Sequence, residues 1–112
     1  MGLPVLVLST VGRKSGRLRH SPVFFVEEDG AYAVVASNAG SHRTPAWYLN
    51  ATAAGSADVM LSGRVFPAEV REASAEERER LWPRLDALYE GYERYRGYTD
   101  REIPIVLLTP RG

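Results

Sequence analysis

The sequence predicts a mainly β, α+β domain in which six antiparallel strands curl into a barrel or strongly curved sheet beside two to three helices. Three observations predict it. Six short runs rich in β-branched and aliphatic residues recur along the chain. Glycine-bearing turns short enough for hairpins join several of them. Helical signals are confined to two intervals, between the third and fourth strands and between the fifth and sixth. At 112 residues the chain is one domain, residues 1–112, without internal repeats or a low-complexity linker.

Residues 3–11 (LPVLVLSTV) read as a buried strand ended by Gly12, and GRKSGR forms the following turn. LRHSPVFFVEE (18–28) is the second strand. Pro22 within it has no N–H for a ladder and points to an edge position or a bulge. EDG turns the chain into a third strand, AYAVVAS (31–37). NAGSHRTPAW is a loop leading into a helix over 45–54, with Thr44 as N-cap, Pro45 as first helical residue and Gly55 at its end.

ADVML and RVFPAEVRE are the fourth and fifth strands, connected through LSGR. Ser74 and Glu77 form the S-x-x-E of a capping box, opening a helix from Ala75 to about Tyr89. Its apolar positions are Leu81, Trp82, Leu85, Leu88 and Tyr89. Tyr89, Tyr92, Tyr95 and Tyr98 then recur at every third residue, which clusters them on roughly one helical face. IPIVLLT (103–109) is the closing strand.

Composition excludes several function classes. Fourteen cationic and fourteen acidic residues cancel, so no global field draws the protein to nucleic acid, and attraction of anions must be local. There is no cysteine, hence no disulfide, thiolate nucleophile or cysteine-ligated metal. Two histidines, His20 and His42, are too few for an all-histidine site, and no metal is expected. G-x-G-x-x-G, P-loop, G-x-S-x-G and H-E-x-x-H patterns do not occur. Glu76, Glu77 and Glu79 alternate with Arg78 and Arg80, the pattern of a solvated face. No apolar run has the length of a membrane span, and the opening residues lack signal-peptide features, so a cytoplasmic location is the expectation.

Three stretches carry chemistry. The first, GRKSGRLRH, gathers Arg13, Lys14, Arg17 and Arg19 with His20 around two glycines. Backbone N–H groups of such a turn, ringed by guanidinium and ammonium groups, suit phosphate or carboxylate oxygens. A solvated hairpin tip is the competing reading, and a nucleic-acid patch a more distant one. The second, VASNAGSHRTPAWYLN, leaves a strand through small residues and enters a helix whose Trp47 and Tyr48 suit a planar ring, or simply anchor the helix in the core. In the third, YEGYERYRGY, a tyrosine face lines either an apolar pocket or a packed interior.

In this order PVLVLSTVGRKSGRLR, YAVVASNAG, PAWYLN, LWP, YEGYERY and TDREIPIVLLTP resemble the deazaflavin-dependent nitroreductases, actinobacterial oxidoreductases that use coenzyme F420. The resemblance keeps order and spacing over nearly the whole chain. It implies a split β-barrel like that of flavin-binding pyridoxamine oxidases. It also implies hydride transfer from reduced F420, an 8-hydroxy-5-deazaflavin with a phospholactyl group and oligoglutamate tail. The acceptor would be an electron-poor quinone, activated alkene or nitroaromatic.

By the same resemblance Arg13, Lys14, Ser15 and Arg19 meet the phosphate and tail, and His20, Ser21, Pro22, Val23 and Phe24 run along the cofactor. Val35, Ala36, Ser37 and Asn38, with Ala46, Trp47, Tyr48, Leu49 and Asn50, enclose the ring, and Tyr92 borders it. Ser37, Tyr89, Tyr92 and Tyr95 form the implied catalytic set, positioning the acceptor or donating a proton. A non-catalytic F420-binding protein and an FMN-binding split barrel are the alternatives, and a homodimer stays open. Three features depart from the pattern. Relatives usually carry a further N-terminal helical or membrane-associating segment, and here the chain opens almost at its first strand. The family's N-L-x-A-x-P is N-A-T-A-A-G at 50–55, and Phe24 stands where some relatives have tyrosine.

Overall fold

The computed structural model describes residues 4–37, 45–89, 91–97 and 103–111, with only the backbone of Tyr95. Six strands, β1 (Val5–Val11), β2 (Leu18–Glu28), β3 (Ala31–Val35), β4 (Ser56–Leu61), β5 (Arg64–Glu72) and β6 (Ile105–Pro110), form a closed antiparallel barrel. Around it the order is β1-β2-β3-β6-β5-β4, with β4 closing on β1. Helix α1 (Ala46–Ala54) joins β3 to β4, while α2 (Ala75–Leu88) and α3 (Gly91–Arg96) lie between β5 and β6. This is the split-barrel architecture expected above.

Two tight turns explain the hairpins. Asp29 and Gly30 have φ of 50° and 80°, and Ser62 and Gly63 have φ of 52° and 77°. Two successive positive values make a type I′ turn, whose twist matches that of the flanking strands. Pro22 sits opposite Val7 of β1, and the pairing of β2 with β3 begins only at Phe25. The first part of β2 therefore has one paired side, which is where a proline is tolerated.

Strand alternation builds two cores. Leu6, Leu8, Val34, Val59, Ala68, Val106 and Leu108 point inward, and Trp47 and Ala51 of α1 join them. Ala33, Val35, Ile105 and Leu107, the intervening residues of β3 and β6, face outward under Leu81 and Leu85 of α2 and Tyr92 of α3. Leu8, Leu81, Leu85, Ile105 and Leu108 are fully buried, each contributing about 1.5–3 kcal/mol. The capping box opens α2 as expected, with the Glu77 N–H donating to Ser74 Oγ at 3.2 Å and the Ser74 N–H donating to Glu77 Oε1 at 2.9 Å. Arg80 and Arg84 pair with Glu28, fastening α2 to the end of β2.

Three expectations need correction. Pro45 is the N-cap of α1, with extended ψ of 142°, and its carbonyl accepts from the Tyr48 N–H at 3.1 Å, so the helix starts at Ala46. Thr44, the expected cap, lies outside the described residues, and among the described residues no side chain caps the helix. The third strand stops at Val35: the Ala36 N–H still donates to the Pro104 carbonyl at 3.0 Å, in register with β6, but Pro104 has no N–H to return to Ala36, so the ladder ends there. The tyrosines do not share a face of one helix: α2 ends at Leu88, Tyr89 is extended (φ −149°, ψ 103°), and α3 begins at Gly91. Tyr98 lies outside the described residues.

Candidate functional site

A cleft of about 430 Å³ opens on the outer wall of the barrel, within the range of roughly 300–1,000 Å³ usual for small-molecule sites. Strand alternation turns Pro22 and Phe24 of β2 and Val35 of β3 to the same side, and pairing with Phe24 brings Val5 beside them. Val23, Ser37 just beyond β3, Pro45 and Trp47 at the start of α1, and Tyr89 and Tyr92 complete the lining.

The aromatic corner is ordered by ring packing. Tyr89 lies 5.3 Å from Phe24 and 5.1 Å from Tyr92, the latter edge to face at 82°. Tyr92, 5% exposed, also meets Trp82 at 6.4 Å. Trp82 in turn lies under the Arg96 guanidinium at 4.1 Å, and Arg96 clasps Asp86 through bonds of 3.0 and 2.9 Å. This staple fixes α3 on α2 and so fixes Tyr92. The result is an apolar slot suited to a planar ring, with Ser37, Tyr89 and Tyr92 as the lining residues that carry hydroxyls.

The basic turn is closed on itself. The Gly12 N–H donates to the Arg17 carbonyl and the Gly16 N–H to the Gly12 carbonyl, both at 2.8 Å, and the Arg17 N–H donates to Ser15 Oγ at 3.2 Å. Arg13, Lys14, Arg17 and Arg19 are exposed, and none forms an ion pair among the described residues. β2 runs directly from this turn into the cleft: Arg19 and Pro22 are three residues apart, about 10 Å along an extended strand. His20 is exposed beside the same path, its Nδ1 2.7 Å from Ser9 Oγ.

Of the residues singled out from sequence, Pro22, Val23, Phe24, Val35, Ser37, Trp47, Tyr89 and Tyr92 meet in the cleft. Arg13, Lys14, Ser15, Arg19 and His20 belong to the turn and the strand leaving it, outside the cleft lining. Ser21 is half-buried in β2, Ala36 is fully buried in the inner core, and Ala46 and Leu49 are exposed on α1. Tyr48 is turned elsewhere: its hydroxyl donates to Glu72 Oε1 at 2.8 Å, and burial followed by that carboxylate pushes its pKa up. Asn50 is buried and bonded to Arg13. Asn38 and the Tyr95 side chain lie outside the described residues. Val5 and Pro45 were missed. The pairing of Val5 with Phe24 is invisible before the register is known, whereas Pro45 stands two residues before Trp47 and was within reach.

Comparison with known proteins adds an independent line. The family model described as F420H(2)-dependent quinone reductase matches residues 1–110. The Mycobacterium tuberculosis H37Rv protein named F420H(2)-dependent quinone reductase Rv1261c is 30% identical over 111 residues, covering 96% of this chain and 74% of that one. A solved structure described as an F420-H2 dependent reductase (FDR-A) superposes with a TM-score of 0.82 at 37% identity, covering 96% of this chain and 98% of its own. Another, described as a domain-swapped dimer, gives a TM-score of 0.84 at 38% identity, covering 96% and 81%.

Proposed function

Because the chain belongs to the F420H(2)-dependent quinone reductase family of oxidoreductases, we propose that it binds coenzyme F420 in the outer cleft and reduces a quinone there. The observation that carries this reading is the joining, through one strand, of an apolar slot of about 430 Å³ to a turn bearing four exposed cations. A planar ring with a polyanionic tail is the ligand shape that uses both. The residues fit the cofactor in size, in apolar walls for the ring, and in charge for the tail.

When bound, reduced F420 supplies a hydride from carbon 5 of its ring; a quinone accepts that hydride and one proton to become the hydroquinone. The protein's part is binding, orientation and exclusion of water. Val5, Val23, Val35 and Trp47 give walls that displace water from a flat ring. Arg13, Lys14, Arg17 and Arg19 neutralise phosphate and carboxylate groups as charge-assisted donors. Tyr89, Tyr92 and Ser37 border the remaining space, where a hydroxyl orients a quinone oxygen or passes it a proton. Holding the acceptor against the ring is itself a large part of the rate enhancement.

The reading extends to activated alkenes and nitroaromatics, which offer the same electron-poor plane, and to a homodimer, in keeping with the swapped dimer among the relatives. We place the protein in the cytoplasm; among the described residues no helix is long and apolar enough to cross a membrane. Titration with F420 beside FMN, followed by stopped-flow oxidation of reduced F420 with a soluble quinone, tests the reading. Saturable F420 binding and quinone-dependent oxidation are expected. Tight FMN binding without F420 binding would replace the cofactor, and F420 binding without turnover would leave a carrier.

A further inference from the structure

A second cavity, of about 540 Å³, is lined by Tyr32, Arg64, Phe66, Pro67, Pro110 and Arg111, and it shares no residue with the cleft. It lies at the far end of the barrel, since β2 leads away from the basic turn to the turn at Asp29 and Gly30. The two ends are finished differently. Near the basic turn, Trp47 and Ala51 of α1 enter the inner core. At the far end the strands are joined through Asp29–Gly30 and Ser62–Gly63, turns too short to cover an opening. Helices α2 and α3 pack on the outer layer instead. What closes this end is a set of inward-facing rings: Tyr32 lies 5.4 Å from Phe25, edge on, and 6.0 Å from Phe66. Tyr32 and Phe66 are only half-buried.

Two cations stand at the rim. The Arg64 guanidinium sits 5.9 Å above the Phe66 ring and forms no ion pair among the described residues. The Arg111 N–H donates to the Pro67 carbonyl at 2.9 Å, which holds Arg111 at the mouth. Its guanidinium meets Glu69 at 3.6 Å, but both members of that pair are exposed, so solvent screens it and a competing anion can displace the carboxylate. We propose that this mouth binds a planar aromatic carboxylate, its ring against Tyr32 and Phe66 and its carboxylate between Arg64 and Arg111. The combination selects the ligand: a neutral aromatic forfeits the guanidinium groups, and a small inorganic anion forfeits the rings. The site is separate from the cleft, and the inference stands independently of the F420 reading.

The test titrates isotope-labelled protein with naphthoate, naphthol and inorganic phosphate at two salt concentrations, following backbone amide shifts by NMR. Naphthoate should produce saturable shifts at Tyr32, Val65, Phe66 and Arg111. Naphthol and phosphate should bind there at least about tenfold more weakly. Arg64→Gln and Arg111→Gln change exposed side chains, so both proteins should stay folded. Each should weaken naphthoate binding by about tenfold at low salt and by less at high salt. Absence of saturable shifts at the mouth, or naphthoate shifts confined to the cleft and the basic turn, overturns the proposal. So does equal affinity of naphthol or phosphate for the mouth, or parental naphthoate affinity in the protein carrying both substitutions. None of these outcomes bears on F420 binding in the cleft.

Discussion

A methyl group added at Gly91 would sit 2.5 Å from Cζ and 2.7 Å from the hydroxyl of Tyr89, about 1 Å inside ordinary contact. Gly91 opens α3 and lies outside the left-handed region, so alanine suits its backbone and gains about 0.5–1 kcal/mol in a helix. The obstacle is the far end of a side chain, which swings more cheaply than backbone moves. Swinging the ring disturbs its packing on Phe24 and Tyr92, at about 0.5–1.5 kcal/mol each. The net destabilisation is then about 0–2.5 kcal/mol, a fall in Tm of less than about 10 °C for a domain of this size. Tyr89 also walls the cleft, and a misplacement of about 1 Å at a reacting centre costs up to about 10²-fold in rate. Gly91→Ala should therefore remain folded while kcat/KM for quinone drops by about ten- to a hundredfold. Melting curves and steady-state kinetics with reduced F420 measure the two effects. In a Tyr89→Ala background the same methyl has no ring to displace, so its kinetic penalty should vanish. Parental kinetics in Gly91→Ala, or an undiminished penalty in the double variant, would refute the steric argument.

Three further outcomes are expected. Lys14→Ala and Arg19→Ala should weaken F420 binding by about ten- to a hundredfold at low salt and by less at high salt, since exposed charges are screened; unchanged affinity in both would make the turn a solvated hairpin tip. Tyr92→Phe keeps the ring and its packing, so turnover should fall without loss of Tm or F420 affinity, and by different factors for quinone and nitro acceptors; parental turnover for Tyr89→Phe and Tyr92→Phe on every acceptor would leave these rings as packing. Glu77 is held at a pKa of about 2 by the Arg71 guanidinium and the Ser74 N–H, against an ordinary value of 4.5. A lowered carboxyl pKa stabilises the fold fully above about pH 4.5, and that contribution fades as pH falls towards 2. Urea unfolding across this window should show a flatter pH dependence for Glu77→Gln than for the parent, and superimposable slopes would contradict it.

What could be read beforehand was local. The capping box needs only Ser74 and Glu77, and the hairpin turns need only their own residues and the strands beside them. The bounds of β2 and β5 and the end of α1 at Gly55 were likewise visible in residue chemistry. Most of the cleft, Pro22 to Phe24 with Val35, Ser37 and Trp47, was reached through the resemblance rather than through periodicity. Contacts made by the fold were not visible. Val5 joins the cleft because β1 pairs with β2 in one register. Arg13 meets Asn50 because the barrel brings a turn and a helix thirty-seven residues apart into contact. The tyrosine spacing concealed a break, since a three-residue repeat reads the same whether a helix continues or stops and restarts around a glycine.

The strand order also constrains how the molecule comes into being. β6 is inserted between β3 and β5, pairing Ile105 with Val35 on one side and Val106 with Glu72 on the other. During synthesis the five preceding strands emerge first, as a sheet whose β3 and β5 margins have unpaired backbone groups. Closure waits for the last strand, and that strand serves both cores at once: Val106 and Leu108 enter the barrel, while Ile105 and Leu107 lie beneath α2 and α3. Such long-range closure is slow, and open strand edges are the surfaces on which incomplete chains aggregate. The nascent chain therefore passes through its most vulnerable form just before the ring closes, and a ribosome that stalls ahead of residue 105 leaves an adhesive sheet rather than a smaller barrel.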